Sequence, residues 1–314
     1  MTAPSLSVIL PNFNHARYLR EALPAILGQS FPCRELIVVD DGSTDDSVAV
    51  VEALAAARPE IRLVKSPRNE GVVAALEKGW ALATGEYVCL PAADDLLLPG
   101  LFEKAMRLLR EHPSAGLCVC DVFTEDGSGK RGLSRRRLCK DARYIPPEEL
   151  AGLMRRRTVY LSGLGAIFRK QALEETGFLP ELKWSSDRIY STVAALRHGL
   201  CCLPEPLAVF RLRGDSYSAA GLSDLKAHGE VIGRTLDLLS GEAYADVLPL
   251  FRRSSALASF EMPLLFFLAF RPGYLRFLTP NLVWRILCGF IRRTLAGLAP
   301  EALRRFYRRL PGRG

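Results

Sequence analysis

ELIVVDDGSTDDS, residues Glu35–Ser47, decides the fold. Leu36, Ile37, Val38 and Val39 form an unbroken apolar, β-branched run, as a strand buried on both faces should. The run ends in two adjacent carboxylates, Asp40 and Asp41, followed by Gly42. Ser43 or Thr44 stands where a helix N-cap is expected, with Asp45 and Asp46 in the first turn, where the helix dipole favours negative charge. Strand, acidic tip and helix start together describe one unit of an α/β sheet.

The same rhythm extends in both directions. Upstream, Leu6–Leu10 is a short apolar run and Ala16–Gln29 carries helical periodicity, with Pro24 expected to kink that helix or shift its start. Downstream, the helix that opens there runs to about Ala57, and a strand at Ile61–Lys65 follows. Next come a helix at Val72–Thr84, a strand at Tyr87–Leu90, a helix at Pro99–Glu111 and a strand at Ala115–Asp121. Alternating strands and helices predict an α/β fold, a mostly parallel, Rossmann-like sheet with helices on both faces. Glu125–Arg143 is polar, Gly-rich and basic, so a loop or irregular hairpin is expected. A helix opening at Pro147, a strand at Leu164–Arg169, a helix at Asp187–His198 and a strand at Ala208–Leu212 complete the mixed part. From Ser223 onward only helices are expected.

A chain of 314 residues with 49% hydrophobic and 24% charged content can bury a sizeable core, which argues against disorder. The net charge of +8 is uneven. Met1–Phe251 carries 30 Lys and Arg against 32 Asp and Glu, whereas Arg252–Gly314 carries 12 Arg against Glu261 and Glu301. Basicity confined to one tail argues against nucleic-acid binding by the folded body. The eight cysteines show no C-x-x-C, and with four scattered histidines they predict neither a zinc site nor a disulfide framework; buried, reduced thiols in a cytoplasmic protein are expected. Leu6–Pro11 has no basic stretch before it and no cleavage site after it, so no signal peptide is expected.

In open parallel sheets, ligands bind at the carboxyl ends of the strands. Four such ends here are polar or acidic: Pro11-Asn12-Phe13-Asn14, Asp40-Asp41-Gly42-Ser43, Asp94-Asp95 and Asp121. Several carboxylates on one edge repel one another unless a cation or a hydrogen-bonding ligand relieves them. Dinucleotide and P-loop sites are excluded, because no G-x-G-x-x-G follows the first strand and Gly129-Lys130 is followed by Arg131.

From Ser5 to Ser218 the chain resembles glycosyltransferase family 2. The resemblance is carried, in order, by SVILPNFNHARYLREAL, ELIVVDDGSTDDS, NEGVVAALEKGWALATGEYVCLPAADDLLLPG, SGLGAIFRKQALEETGF, WSSDRIYSTVAALRHG and PLAVFRLRGDSYS. It implies a GT-A fold, an inverting transfer of sugar from a nucleoside-diphosphate donor to an acceptor hydroxyl, and a divalent cation, Mg2+ or Mn2+. Residues 1–124 then form the nucleotide-sugar-binding half, 125–221 the acceptor and catalytic-base half, and 222–314 a basic helical extension.

Residue by residue, the resemblance places Pro11, Asn12, Phe13 and Asp41 around the nucleotide, with Phe13 where the family usually has Tyr. An aromatic face can stack on a base, and a carboxylate can accept a base N–H. The plainer alternative makes Phe13 core and Asp41 a turn cap. Asp94 and Asp95 match the acidic metal motif, although Ala92 stands where a first carboxylate is common; alternatively they cap a helix before Pro99. Asp187 matches the general base, with Ser186 in place of the usual preceding Glu, or it serves only as a favourable first-turn acid. Arg211 and Arg213 stand where relatives carry Arg-x-His and would clamp a diphosphate, unless they are a solvated strand end. Leu76-Glu77 departs from the Arg-Asn of some relatives. Gly163 and Gly165 would let the backbone approach the sugar or acceptor, or simply form a tight turn.

Two other functions remain open: a non-catalytic nucleotide-sugar-binding or membrane-docked accessory protein, and a sugar-phosphate nucleotidyltransferase. The latter usually needs a Gly-rich basic loop after the first strand, which Asn12–Arg17 is not. In the tail, Val283, Ile286, Leu287 and Phe290 repeat with helical spacing while Arg285 and Arg292 turn away, and Leu303, Phe306, Tyr307 and Leu310 repeat the pattern. Segment 262–314 is therefore expected to dock on an anionic membrane surface, apolar face down, unless its helices pack on protein. The uncharged stretches are too short for a membrane span.

Overall fold

The computed structural model describes residues 4–134, 138–213, 221 and 224–298. Strands β1 (Leu6–Asn12), β2 (Glu35–Asp40), β3 (Ile61–Lys65) and β4 (Tyr87–Cys89) are parallel neighbours in the order β3-β2-β1-β4. Helices α1 (Ala16–Leu27), α2 (Ser47–Ala55) and α3 (Val72–Trp80) connect them. Pro24 lies inside α1 without shifting its start from Ala16. The expected cap at Ser43 or Thr44 is not formed: α2 begins at Ser47, and the Asp45 carboxylate accepts the Ser47 N–H at 2.9 Å. Ser43 is used instead to bind the β1 end.

Beyond β4 the sheet changes character. β5 (Leu96–Leu97), α4 (Leu101–Glu111), β6 (Leu117–Glu125), β7 (Arg131–Ser134), β8 (Arg143–Ile145), α5 (Pro147–Arg156), β9 (Ala166–Arg169), α6 (Lys170–Glu174), α7 (Ser186–His198) and β10 (Leu200–Arg211) follow. The order continues β4-β9-β6-β10-β5, with β7 on β6 and β8 on β10. β9 runs antiparallel to both β4 and β6, while β6 and β10 pair in parallel. The mostly parallel sheet expected thus holds for β1–β4, and the second half is mixed. Glu125–Arg143 does contain a hairpin, β6–β7, turned at Asp126–Lys130.

The alternation along each strand divides the core between two faces. Leu6, Val8, Leu10, Leu36 and Val38 pack with α1 and α4. Ile9, Ile37, Val39 and Val88 face the other way, towards α3, α5 and α7. That second layer also contains α8 (Leu225–Ser240), α9 (Leu248–Ser254), α10 (Glu261–Ala269) and α11 (Pro280–Leu298). Val231, Leu236, Phe251, Leu264, Leu268, Leu282 and Ile286 all belong to its core.

This changes the expected picture of the C-terminal helices. Ile286 is only 2% exposed and packs inward, while Leu287 and Phe290 stay exposed, so the anticipated stripe does not form one membrane-facing surface. Burying Leu282 and Ile286 contributes about 1.5–3 kcal/mol each to holding α11 on the domain. Leu303, Phe306, Tyr307 and Leu310 lie outside the described residues. No helix among the described residues is long and apolar enough to cross a membrane.

The cysteine expectation needs a second correction. Cys139 and Cys202 form a disulfide that ties the segment after β7 to β10. Their separation of 63 residues follows no local motif, so spacing could not show it. Cys89, Cys118, Cys120 and Cys201 are buried and take no part in that bridge, as expected.

Candidate functional site

The carboxyl ends of β1 and β2 are locked together. Asn12 pairs in register with Asp40, and its Nδ2 donates to Asp40 Oδ2 at 2.8 Å and to Ser43 Oγ at 3.2 Å. Asp40 Oδ1 accepts the Ser43 N–H, and Asn14 Oδ1 accepts the Thr44 N–H at 2.8 Å. Asp40 is therefore the acid that shapes the turn after β2. Gly42 permits that turn: its φ is +77°, and a Cβ there would lie 2.6 Å from the Arg68 carbonyl carbon.

Asp41 is used differently. Its Oδ2 accepts the N–H groups of Glu70 (3.0 Å) and Gly71 (2.7 Å), fixing the loop before α3, while Oδ1 is buried with no hydrogen-bond partner among the described residues. An unpaired buried acceptor is costly unless a ligand donor reaches it. Asn12 Oδ1 is in the same condition. Phe13, one residue beyond β1, is 38% exposed, so it is a presented ring and not core.

The segment between β4 and β5 carries Asp94 and Asp95. Asp95 is buried, and its Oδ1 accepts the Arg211 N–H at 3.2 Å. Burial first, and the neighbouring Asp94 charge second, push its carboxyl up to about 8. Asp94 Oδ2 lies 3.1 Å from Arg213 Nη1, and the same nitrogen donates to His15 Nε2 at 2.6 Å. His15 is held towards its neutral form mainly by burial, and it lies 3.9 Å from Asp94. Arg211 is committed elsewhere, to Glu21, to Glu125 at 3.4 Å and to the Asp94 carbonyl at 3.3 Å. Both guanidinium groups lie over the Tyr18 ring, at 5.2 and 5.3 Å. A cavity of about 370 Å3 opens here, lined by Arg17, Tyr18, Arg20, Asp45 and Arg213 among others.

No three His, Cys, Asp or Glu side chains among the described residues gather into a self-sufficient metal cage. A hard cation held by one or two carboxylates and completed by substrate phosphates needs no such cage. Asp94 and Asp95 fit that arrangement, since the burial that raises Asp95 is what a cation would relieve.

Asp187 enters from the second half of the domain, in the first turn of α7. Its Oδ1 accepts the Arg188 N–H at 2.7 Å and its Oδ2 the Gly163 N–H at 3.3 Å. Gly163 itself sits beside the Leu90 carbonyl, at the end of β4, so this carboxylate is anchored next to the strand that leads to Asp94. Gly165 has a simpler role: with φ +64° and a Cβ position 2.6 Å from Cys120 Sγ, it is required by the turn. His15, Tyr18 and Glu21 were not singled out from the sequence. They lie in one of the quoted stretches, but their partners Arg211 and Arg213 are some two hundred residues away.

Residues 7–177 match the family described as glycosyl transferase family 2. The chain belongs to that family. Its fold is that of GT-A glycosyltransferases. The chain is 27% identical over 200 residues to the uncharacterized glycosyltransferase YibD of Escherichia coli, covering 60% of this chain and 58% of YibD. It is 31% identical over 163 residues to the putative glycosyltransferase EpsE of Bacillus subtilis, covering 52% and 55%. It thus spans little more than half the length of these relatives. Among solved structures, S. aureus TarS in complex with UDP-GlcNAc superposes with TM-score 0.63 at 19% identity, over 83% of this chain and 81% of TarS. The mannosyltransferase PcManGT from Pyrobaculum calidifontis, in complex with GDP-Man and Mn2+, gives 0.51 at 22% identity, over 93% and 87%. This family 2 domain therefore shares its architecture with proteins seen holding nucleotide sugars.

Proposed function

We propose that the protein transfers a sugar from a nucleoside-diphosphate donor to a hydroxyl of a glycan or lipid-linked acceptor, with inversion at the anomeric carbon. The observation that carries this reading is the pairing of two unlike carboxylate sites. Asp41 keeps one buried acceptor atom without a partner among the described residues and Phe13 presents its ring just beyond β1, while Asp187 is held by Gly163 next to the strand end that leads to Asp94.

In this reading Phe13 and Pro11 flank the base, Asp41 Oδ1 accepts a base N–H, and Asn12 holds the turn that positions them. Asp94 and Asp95 would hold a divalent cation, which would supply positive charge to offset the leaving diphosphate. Arg213, already beside Asp94, reaches the diphosphate oxygens; Arg211 supports that wall through its ion pairs. Asp187 takes the proton from the acceptor hydroxyl as it attacks from the face opposite the nucleotide. Gly163 fixes that carboxylate through its N–H. The basic segment 262–314 keeps the enzyme peripheral, on the cytoplasmic face of an anionic membrane where a lipid-linked acceptor would lie.

A second reading, a non-catalytic nucleotide-sugar binder, is favoured by one contact: Arg213 already neutralises Asp94. Nucleoside-diphosphate release from a panel of UDP- and GDP-sugars, with and without chelator and with candidate acceptors, separates the two. Metal-dependent release that rises with acceptor supports transfer. Tight binding with no release from any donor favours the binder.

A further inference from the structure

A cleft of about 980 Å3 opens between α5 and α11, away from the residues assigned above. Both helices turn an apolar stripe to the core: Leu150, Ala151 and Met154 from α5, Leu282 and Ile286 from α11. The stripes beside these, at helical spacing, do not close on one another. Six arginines line the gap, Arg155, Arg156, Arg157, Arg253, Arg285 and Arg292, against a single carboxylate, Glu148.

Glu148 is taken by Arg253. None of the other five arginines has a carboxylate partner among the described residues. The helices are pinned instead by neutral contacts. Asn281 Nδ2 donates to the Arg155 carbonyl at 3.3 Å, and Arg285 Nη2 donates to Thr158 Oγ1 at 2.6 Å. Burial first, and the charge of Arg292 second, disfavour the charged form of Arg285. Cations gathered in this way are relieved by an anion. Residues 299–314 carry five arginines against Glu301, so their composition adds positive charge overall.

The surroundings say which anion. Trp284, on the wall of the cleft, is 67% exposed, and Phe290 and Ile291 on the same helix are 46% and 54% exposed. On α10, Phe266 and Phe270 are 62% and 81% exposed. Trp284 on the cleft wall and Ile291, seven residues on and so on the same helix face, stand beside clustered arginines and match a bilayer interface, where phosphate groups and acyl chains lie within a few ångströms of each other. A soluble phosphate would satisfy the arginines and leave these side chains in water.

We propose that the α5–α11 cleft binds the phosphate groups of anionic lipids, with Trp284 and Ile291 entering the interface. The proposal rests on the membrane reading above and locates the contact in a folded cleft, not in the extreme tail. Neither donor nor acceptor enters its test, so it stands or falls apart from sugar transfer.

The experiment is co-sedimentation of the full chain with phosphatidylcholine vesicles, with and without phosphatidylglycerol, at low salt. The cleft variant Arg155→Gln/Arg156→Gln/Arg292→Gln changes only exposed side chains. It should partition about 10²-fold more weakly, at about 5-fold per arginine. The tail variant Arg304→Gln/Arg305→Gln/Arg308→Gln/Arg309→Gln should lose less. A thermal melt verifies folding. As a readout that needs no charge change, anionic vesicles should blue-shift the wild-type tryptophan emission, and Trp284→Phe should remove the shift. Wild-type partitioning by the cleft variant overturns the proposal, and if the tail variant alone is impaired, the membrane reading survives without it. No vesicle binding by the wild type overturns both. Binding of inorganic phosphate without binding of anionic vesicles overturns the lipid assignment.

Discussion

The polar edge of β1, β2 and the Asp94–Asp95 segment, and the helical layer of α5 with α8–α11, flank one sheet yet handle charge in opposite ways. At the edge, carboxylates are tied down by neighbours: Asp40 by Asn12 and Ser43, Asp41 by two backbone N–H groups, Asp95 by the Arg211 N–H. What is left over is specific, a single unpaired oxygen on Asp41 and a strongly raised carboxyl on Asp95. In the helical layer the apolar side is closely packed, while the arginines of the cleft are almost without counter-charge. The first region is organised to meet a ligand with few, directed contacts. The second offers a diffuse positive field.

The contrast is sharpest at Asp187, which in the proposed reading belongs to the chemical step and not to the donor edge. Asp187→Asn should lower turnover by about 10²–10⁴-fold while leaving donor affinity nearly unchanged. Steady-state rates beside a nucleotide titration check this. Turnover close to wild type would move the base elsewhere.

Ile286→Ala asks whether α11 is core or a detachable arm. If its inward packing is real, the substitution should cost about 2–5 kcal/mol in denaturant unfolding. A change near zero would make the helix a loosely held surface element. Gly42→Ala asks the matching question of the edge. Strain at φ +77° together with the close Arg68 backbone should cost about 1–3 kcal/mol and should weaken nucleotide binding as the turn shifts.

A pH dependence is also expected at Asp95. In the folded chain its carboxyl keeps its proton from the ordinary value of 3.8 up to about 8, whereas the unfolded chain loses it early in that interval. The unfolded state then binds fewer protons, so in chelator this group makes stability fall as pH rises through the window. Asp95→Asn should flatten that decline, as followed by melting temperature from mildly acidic to mildly alkaline pH.

Much of the first region was legible in the sequence, because its logic is local. β2 and β3 lie where their apolar runs place them, whereas Asp121, expected at a strand end, lies inside β6, which runs on to Glu125. The cap at Ser43 or Thr44 was misplaced, because Ser43 is drawn to Asn12 and Asn14 across the sheet. Antiparallel β9, the Cys139–Cys202 bridge and the contact of His15 with Arg213 depend on partners about 50 to 200 residues away, which periodicity cannot report. The α11 stripe shows the same limit. Its spacing is amphipathic in either case, and only the packed structure decides that Ile286 turns inward while Leu287 stays exposed.

The most direct test of the account is calorimetric titration of UDP and GDP into the wild type, Asp94→Asn/Asp95→Asn and Asp187→Asn, each with Mg2+ or Mn2+ and again in chelator. The account predicts that at least one nucleotide binds the wild type and Asp187→Asn alike when metal is present, and that this gain is lost in the double variant. Equal affinity in chelator, or binding abolished by Asp187→Asn, would contradict the division of the site into a donor edge and a separate base.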